Sequence, residues 1–475
     1  MIRATHPRGW LASKAVPRAP RLLALAAGLA FPLVSALLAP LVPIAPLAPA
    51  VAAAAAPVDT VDSAGAGRGN TAGADANVVE RASEGTAFAP ELAPRGSFGW
   101  PRVCSSRHDF CVRPSPGTLP ALTRAALRAG DRAWDAIAGT LRAPPPEGAL
   151  GDPWQVYLVD GVDGGGRAAL AGRDPRSAFD RAASFALVDR ATPPGCTLDF
   201  VLARAIAGGG RWRAAPASDA GSALGAIDAL AHLATPCAGP DRDAVLAFQD
   251  APESCIVAPA PPSRARGDAL FFEWLDGAYG KSPGAILLGL WSLAPTRTAW
   301  NAPAWAVTPS GFDVLAVSLG DPTRRLRALD DVFLRFAVAR ASMDPPAARA
   351  WRVPWPSKAR RLLSPRPLAP GGASYVVVDR EGAGPESKLR VEAEWEDYAR
   401  LRWIVLKLDA AGRVLAQIPI PSLDAGTHTS LTVDNLAGVD RVLLVAANLG
   451  STEHPFDPQQ GEWEPHGWLL TLGAE

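Results

Sequence analysis

The sequence predicts an α+β protein: a first domain of a few strands and many helices, followed by an all-β sandwich. Three observations lead there. Apolar residues recur at helical spacing through most of 118–341, interrupted by two strand-like runs. From Ala373 onward the period changes to two. Between the regimes, residues 345–370 are rich in Pro, Arg and Trp and read as a connector.

Ahead of the folded body, residues 1–21 carry Arg3, Arg8, Lys14, Arg18 and Arg21 and no acidic residue. Leu22 to Leu38 is apolar, and Val51 to Ala56 offers small residues at every cleavage subsite. A basic start, an apolar run and a small-residue site are the three parts of a secretory signal. Pro32, Pro40, Pro43, Pro46 and Pro49 make one continuous spanning helix unattractive. Residues 1–56 are therefore expected to be a cleavable signal peptide, with no transmembrane anchor left after cleavage and a secreted or periplasmic destination. Residues 57–96 are Ala, Gly, Ser, Asp and Pro with few large apolar side chains, which predicts a disordered tether.

The first domain is expected over 97–362. Leu119, Leu122, Ala126, Ala133, Trp134, Ile137 and Leu141 predict a helix over 118–141, ended by Pro144-Pro145-Pro146. Residues 154–159 and 183–188 read as strands, and the glycine cluster Gly161 to Gly166 between them as a loop. That cluster lacks the G-x-x-x-x-G-K-[ST] pattern of a phosphate loop. Helices are predicted over 198–207, 222–234, 268–279, 283–293 and 325–341, the first ending at Gly208-Gly209-Gly210. The second domain, 366–475, shows seven strand-like runs: 373–379, 388–396, 401–409, 414–420, 429–435, 441–448 and 466–472. Short, regularly spaced strands without a helical pattern predict a β-sandwich.

Lys and Arg total 47 and Asp and Glu total 47, so the net charge is zero. A general nucleic-acid binder needs a basic surplus, and no nucleic-acid partner is expected. Five cysteines stand at 104, 111, 196, 237 and 255. In an oxidising compartment pairs are the default. Cys104 and Cys111 are close enough to staple one loop; Cys196 and Cys237 sit beside proline turns and bracket two helical segments. Closing the second loop would stabilise by roughly 4 kcal/mol in the chain-entropy model. Cys255 is left over, either as a free thiol or as the partner of another cysteine. There is no C-x-x-C and no histidine at a zinc-ligand spacing from a cysteine.

The order of segments resembles a group of secreted bacterial zinc peptidases of the gluzincin type. The pieces are a Cys-bearing start, the helix Ala125 to Leu141, the strands Gln155 to Val159 and Ser184 to Asp189, and two further helices. After them come Asp268-Ala-Leu-Phe-Phe-Glu-Trp-Leu-Asp-Gly-Ala-Tyr-Gly280 and a tryptophan helix, Ile286 to Leu293. The resemblance implies a zincin-like first domain and a β-sandwich tail. Such an enzyme needs two histidines one turn apart, a glutamate between them, and a third ligand from the next helix. If residues 203–207 occupy that window, both histidine positions are alanine, Ala203 and Ala207, and the glutamate position is Arg204. No histidine lies between His108 and His232, so no neighbouring window restores the motif.

Other chemistries are thinly supported. Asp228 and His232, at i,i+4, could touch a metal, but an amphipathic helix with Leu224, Ile227, Leu230 and Leu233 inward and a surface or half-buried Asp228–His232 pair explains them better. Glu273 and Asp276 read as the solvent edge of an aromatic helix rather than a glycosidase pair. His454, Asp457 and His466 lie around the last strand, where local turn bonding is the simpler reading. Of Trp395, Trp403, Trp463 and Trp468, which could stack on a sugar, Trp403 reads as core and Trp463 as the more exposed. The expectation is a secreted, non-catalytic protein without a cofactor, on a degenerate metallopeptidase scaffold. It would act by binding an envelope protein or polysaccharide, or as a structural component. The alternatives are a carboxylate-pair or non-standard metal hydrolase, and a binding sandwich carried by the first domain.

Overall fold

The structure, a computed structural model, describes residues 90–475 apart from 219, 240, 257–260, 294, 307–308, 320–326, 344–349, 385, 423–425 and 452–463. The expected signal, residues 57–89 of the expected tether, and His454, Asp457 and Trp463 lie outside the described residues. Among the described residues no helix is long and apolar enough to cross a membrane.

The chain mixes α and β structure. A hairpin of β1 (Val103–Cys104) and β2 (Phe110–Pro114) opens it, with Cys104 facing Cys111 in register and bonded to it as a disulfide. Helix α1 (Pro120–Trp134) begins on a proline, which gives up no helical hydrogen bond there. It runs into a π-helical turn, Asp135–Thr140. Strands β3 (Trp154–Val159), β4 (Gly166–Arg173) and β5 (Ala182–Asp189) complete a sheet of order β1-β2-β3-β5-β4. The central strands β2, β3 and β5 run parallel, and both edge strands are antiparallel to their neighbours. One face of the sheet packs Phe110, Val112, Trp154, Val156, Leu158, Ala186 and Val188 into the helical core. The other packs Tyr157, Ala169 and Phe185 under Ala93 and Trp100. Residues 90–96, expected to be tether, are thus partly pinned. The amide of Glu91 donates to the Leu170 carbonyl at 2.8 Å, and Arg167 Nη2 donates to Glu91 Oε2 at 2.7 Å.

Helices follow: α2 (Cys196–Ala214), α3 (Ala220–Ala234), α4 (Arg242–Gln249), α5 (Pro262–Gly267), α6 (Ala269–Tyr279), α7 (Ala285–Ser292), α8 (Gly311–Leu319) and α9 (Arg327–Arg340). Helix α2 does not stop at its three glycines. A Cβ on Gly209 would meet Pro146 Cβ at 2.5 Å, and one on Gly210 would meet the Pro144 carbonyl at 2.3 Å. The glycines let the helix lie against the proline segment, and close packing outweighs their poor propensity.

The last third forms two facing sheets. Strands β6 (Trp351–Pro354), β8 (Ala373–Asp379), β10 (Ala399–Leu408), β11 (Val414–Pro419) and β13 (Arg441–Ser451) make one, in the order β11-β10-β13-β8-β6. Strands β7 (Arg360–Leu363), β9 (Leu389–Trp395), β12 (His428–Val433) and β14 (Trp468–Ala474) make the other, in the order β12-β9-β14-β7. Strands β6 and β7 come from the segment assigned above to the first domain and connector, so the sandwich begins by Trp351. Each is an edge strand, where Pro and Arg are tolerated because one row of backbone groups needs no partner strand.

Candidate functional site

A cleft of about 380 Å³ opens beside the first half of α2. It is lined by Thr197, Phe200, Val201 and Arg204 of α2, by the Cys196–Cys237 disulfide, and by Gly164, Ala238, Gly239 and Asp241. The α2 residues recur at i, i+3, i+4 and i+7, one helical stripe. Ala203 and Ala207 are on another face and fully buried in the core. The window expected from the sequence therefore contributes only Arg204 to the cleft.

Arg204 is 6 % exposed. Its Nη1 donates to the Gly164 carbonyl at 2.8 Å and its Nη2 to Asp228 Oδ2 on α3 at 3.2 Å. Its Nε lies 2.8 Å from Asp228 Oδ1, an ion-pair contact out of line for a hydrogen bond. Burial pushes the Asp228 carboxyl above the usual carboxylate range, and the Arg204 charge opposes that rise. Arg266 of α5 donates through Nη2 to the Asp163 carbonyl at 3.2 Å. Burial and the neighbouring charge of Arg204 lower its guanidinium below the ordinary value. The glycine loop accordingly offers carbonyls to two guanidiniums, the reverse of a loop whose amides cradle phosphate. Gly164 has φ +65°, and a Cβ there would meet the Arg266 guanidinium at 2.1 Å.

Asp228 and His232 share α3 but are not paired with each other, contrary to the expectation. His232 Nδ1 lies 2.5 Å from Glu273 Oε1 on α6, and its ring stacks on Phe200 at 4.8 Å. Phe200 also carries the Arg204 guanidinium 4.7 Å from its ring centre. A void of about 10 Å³, no larger than one water, lies among Asp228, His232, Asp241, Arg266 and Glu273. Asp241 caps α4, accepting from the amides of Asp243 and Ala244. Among the described residues no three His, Cys, Asp or Glu side chains gather in a way that could hold a metal ion.

The remaining candidates disperse. Cys255 is buried in the helical core. Asp276, expected at a solvent edge, is buried and accepts from the amides of Gly284 at 2.7 Å and Ile286 at 3.0 Å, tying α6 to α7. His466 pairs with Glu396 at 2.7 Å. Trp395, Trp403 and Trp468 are buried in the sandwich core, so none presents a stacking face. Sequence reasoning missed Arg266 and the role of Glu273 as the partner of His232. Both depend on contacts between helices distant in sequence.

No family model matches this chain, and no curated protein matches it. Among solved structures, the pre-peptidase C-terminal domain of a collagenase from Bacillus anthracis is 8 % identical, with a TM-score of 0.17, covering 27 % of this chain and 95 % of that one. The enzymatically active domain of tailspike protein 4 of bacteriophage CBA120 is 10 % identical, with a TM-score of 0.16, over 25 % of this chain and 19 % of that one. The VP2 subviral particle of infectious bursal disease virus is 8 % identical, with a TM-score of 0.13, over 25 % of this chain and 30 % of that one. Likenesses this weak carry no argument about activity.

Proposed function

We propose that this is an exported, non-catalytic protein on a degenerate metallopeptidase-like scaffold, whose cleft binds rather than cleaves. One observation carries the reading: a guanidinium, Arg204, sits at the cleft in an ion pair with the buried Asp228 of the next helix. In a peptidase of the resembled type, two ligands one turn apart on one helix and an acid from the next would surround a cation. Here the cleft-facing positions one turn apart are Phe200 and Arg204, and Asp228 is the acid. A phenyl ring and a guanidinium have no lone pair to offer a metal, and the fixed positive charge repels one. This register lies three residues before the Ala203–Ala207 window, and both registers lack histidine.

The two disulfides support an oxidising destination, periplasmic or extracellular. The carboxylate-pair alternative loses support, because among the described residues Asp241 is the one acid lining the cleft, and it is engaged as a helix cap. Metal analysis of the purified full chain, with a peptidase assay with and without chelator, tests the reading. The expected result is substoichiometric zinc and no chelator-sensitive proteolysis. Stoichiometric zinc, lost together with proteolytic activity on chelation, overturns it.

A further inference from the structure

A second surface, away from the cleft, carries more ligand-directed chemistry. Arg173 ends β4, and its guanidinium lies 4.9 Å from the Trp300 ring centre and 5.1 Å from that of Trp305. It donates to the carbonyls of Thr298, Ala299 and Trp300 at 3.1 to 3.2 Å. Asp180, buried two residues before β5, accepts from Thr296 Oγ1 at 2.7 Å, Thr298 Oγ1 at 2.7 Å and the Thr298 amide at 3.0 Å. Its own amide donates to the Thr296 carbonyl at 2.9 Å. These bonds stitch segment 174–181 to segment 295–306, and Trp305 anchors the second in a small core with Leu170, Ala182 and Ala217.

What this network holds out to solvent is aromatic and cationic. Trp300 is 66 % exposed and Phe179 is 47 % exposed, with the Arg297 guanidinium 5.2 Å from the Phe179 ring centre. Arg173 engages Asp180, and Arg176 engages Asp174 and Glu147. Arg181 acts on the Asp174 carboxylate by its charge, whereas Arg297 stands outside every salt bridge found among the described residues, which leaves one cation beside Phe179. An indole left in water gives up burial worth a few kcal/mol. A loop tied down by this many bonds is pre-organised and loses little freedom on binding.

We propose that Trp300 and the Phe179–Arg297 pair form a binding platform for a carboxylate-bearing polysaccharide. The indole offers a flat apolar face to the C–H face of a sugar ring. Arg297, held over the Phe179 ring, offers the fork of donors that matches a carboxylate. The platform has two rings rather than the broad surface a stable protein partner needs, which favours a chain of sugars over a folded protein. The reading is independent of the cleft.

The test titrates the full chain with polygalacturonate, with dextran as neutral control and polyphosphate as charge-only control. Polygalacturonate is expected to bind and dextran not to. Trp300→Ala should weaken binding about tenfold or more, and Arg297→Gln should weaken it and flatten its salt dependence. Trp300→Phe, which keeps a stacking face, should retain most of the affinity and guards against a loop that fails to fold without an aromatic ring. Polygalacturonate binding no tighter than dextran overturns the proposal. So does binding that polyphosphate reproduces and none of the three substitutions alters.

Discussion

Arg204 shows how little of a site one residue's identity conveys. In the sequence it stands where a peptidase of the resembled type would carry its glutamate; in the fold it is half of a buried ion pair. Removing one partner of such a pair leaves an uncompensated buried charge, whereas replacing both is often close to neutral. Arg204→Met should therefore cost about 3–5 kcal/mol. The double variant Arg204→Met, Asp228→Leu should recover most of that, as read by urea denaturation. A double variant no more stable than the single one would show that the guanidinium is held for the Gly164 carbonyl rather than for Asp228. Asp330 on α9 supplies a pH effect. It pairs with Arg400 of β10, and burial pushes its carboxyl up to about 6. Because the folded value exceeds the unfolded one, the native state holds the proton more tightly. That contribution is fully present below about pH 4 and is lost as the pH rises through about 6. The wild type should gain on Asp330→Asn by at most about 3 kcal/mol between pH 7 and pH 4. Parallel urea titrations of the two chains at both pH values would measure it.

At the scale of elements, helix α2 joins most of what the first domain does. Its first residue is bonded to Cys237 just beyond α3, so one disulfide holds the ends of the two helices that carry Arg204 and Asp228. The bridge closes a separation of 41 residues, worth about 4 kcal/mol in the chain-entropy model. Cys196→Ser with Cys237→Ser should lower stability by up to about that much and narrow the pH range over which the native state persists, measured by thermal melts. A melt unchanged by the double substitution would mean that packing alone fixes the two helices. The ends of α2 were poorly legible in the sequence. Three consecutive glycines read as a stop, and only the nearness of Pro144 and Pro146 explains why they continue the helix. Strand β4 was illegible for a related reason. Gly166-Arg-Ala-Ala-Leu-Ala-Gly-Arg173 has little strand propensity and becomes a strand by pairing with β5.

For the whole molecule, the decisive fact is that the sandwich is not freestanding. Strand β13 is buried at every position from Val442 to Gly450. One face of its sheet meets the second sheet; on the other, Tyr375, Val377, Ile404, Leu406, Leu443 and Val445 share a core with Val332, Phe333 and Phe336 of α9. The Tyr375 hydroxyl donates to the Ala337 carbonyl at 2.8 Å, and burial pushes it up to about 12. Gly372 meets the first domain so closely that a Cβ would stand 2.2 Å from the Glu253 carbonyl. A fragment 366–475 would lose β6 and β7 and expose that apolar face. It is expected to associate, or to bind a hydrophobic dye, where the full chain does neither. A monomeric fragment with a cooperative melt would instead show that the sandwich folds as an independent domain.

While the fold settled that Cys104 pairs with Cys111 and Cys196 with Cys237, the sequence by itself determined the run of helices followed by strands, the four cysteines placed to pair, and the lack of histidine on α2. These depend on local periodicity, on cysteine count and on residue identity, all of which are written in order along the chain. Only the tertiary structure decided that Phe200 and Arg204 face the cleft, that Asp228 answers Arg204 while Glu273 answers His232, and that Trp300 faces solvent while Trp395, Trp403 and Trp468 are buried. Each of those outcomes turns on which helix, loop or sheet lies opposite. That is set by the packing of segments far apart in sequence, and no pattern within a single element encodes it.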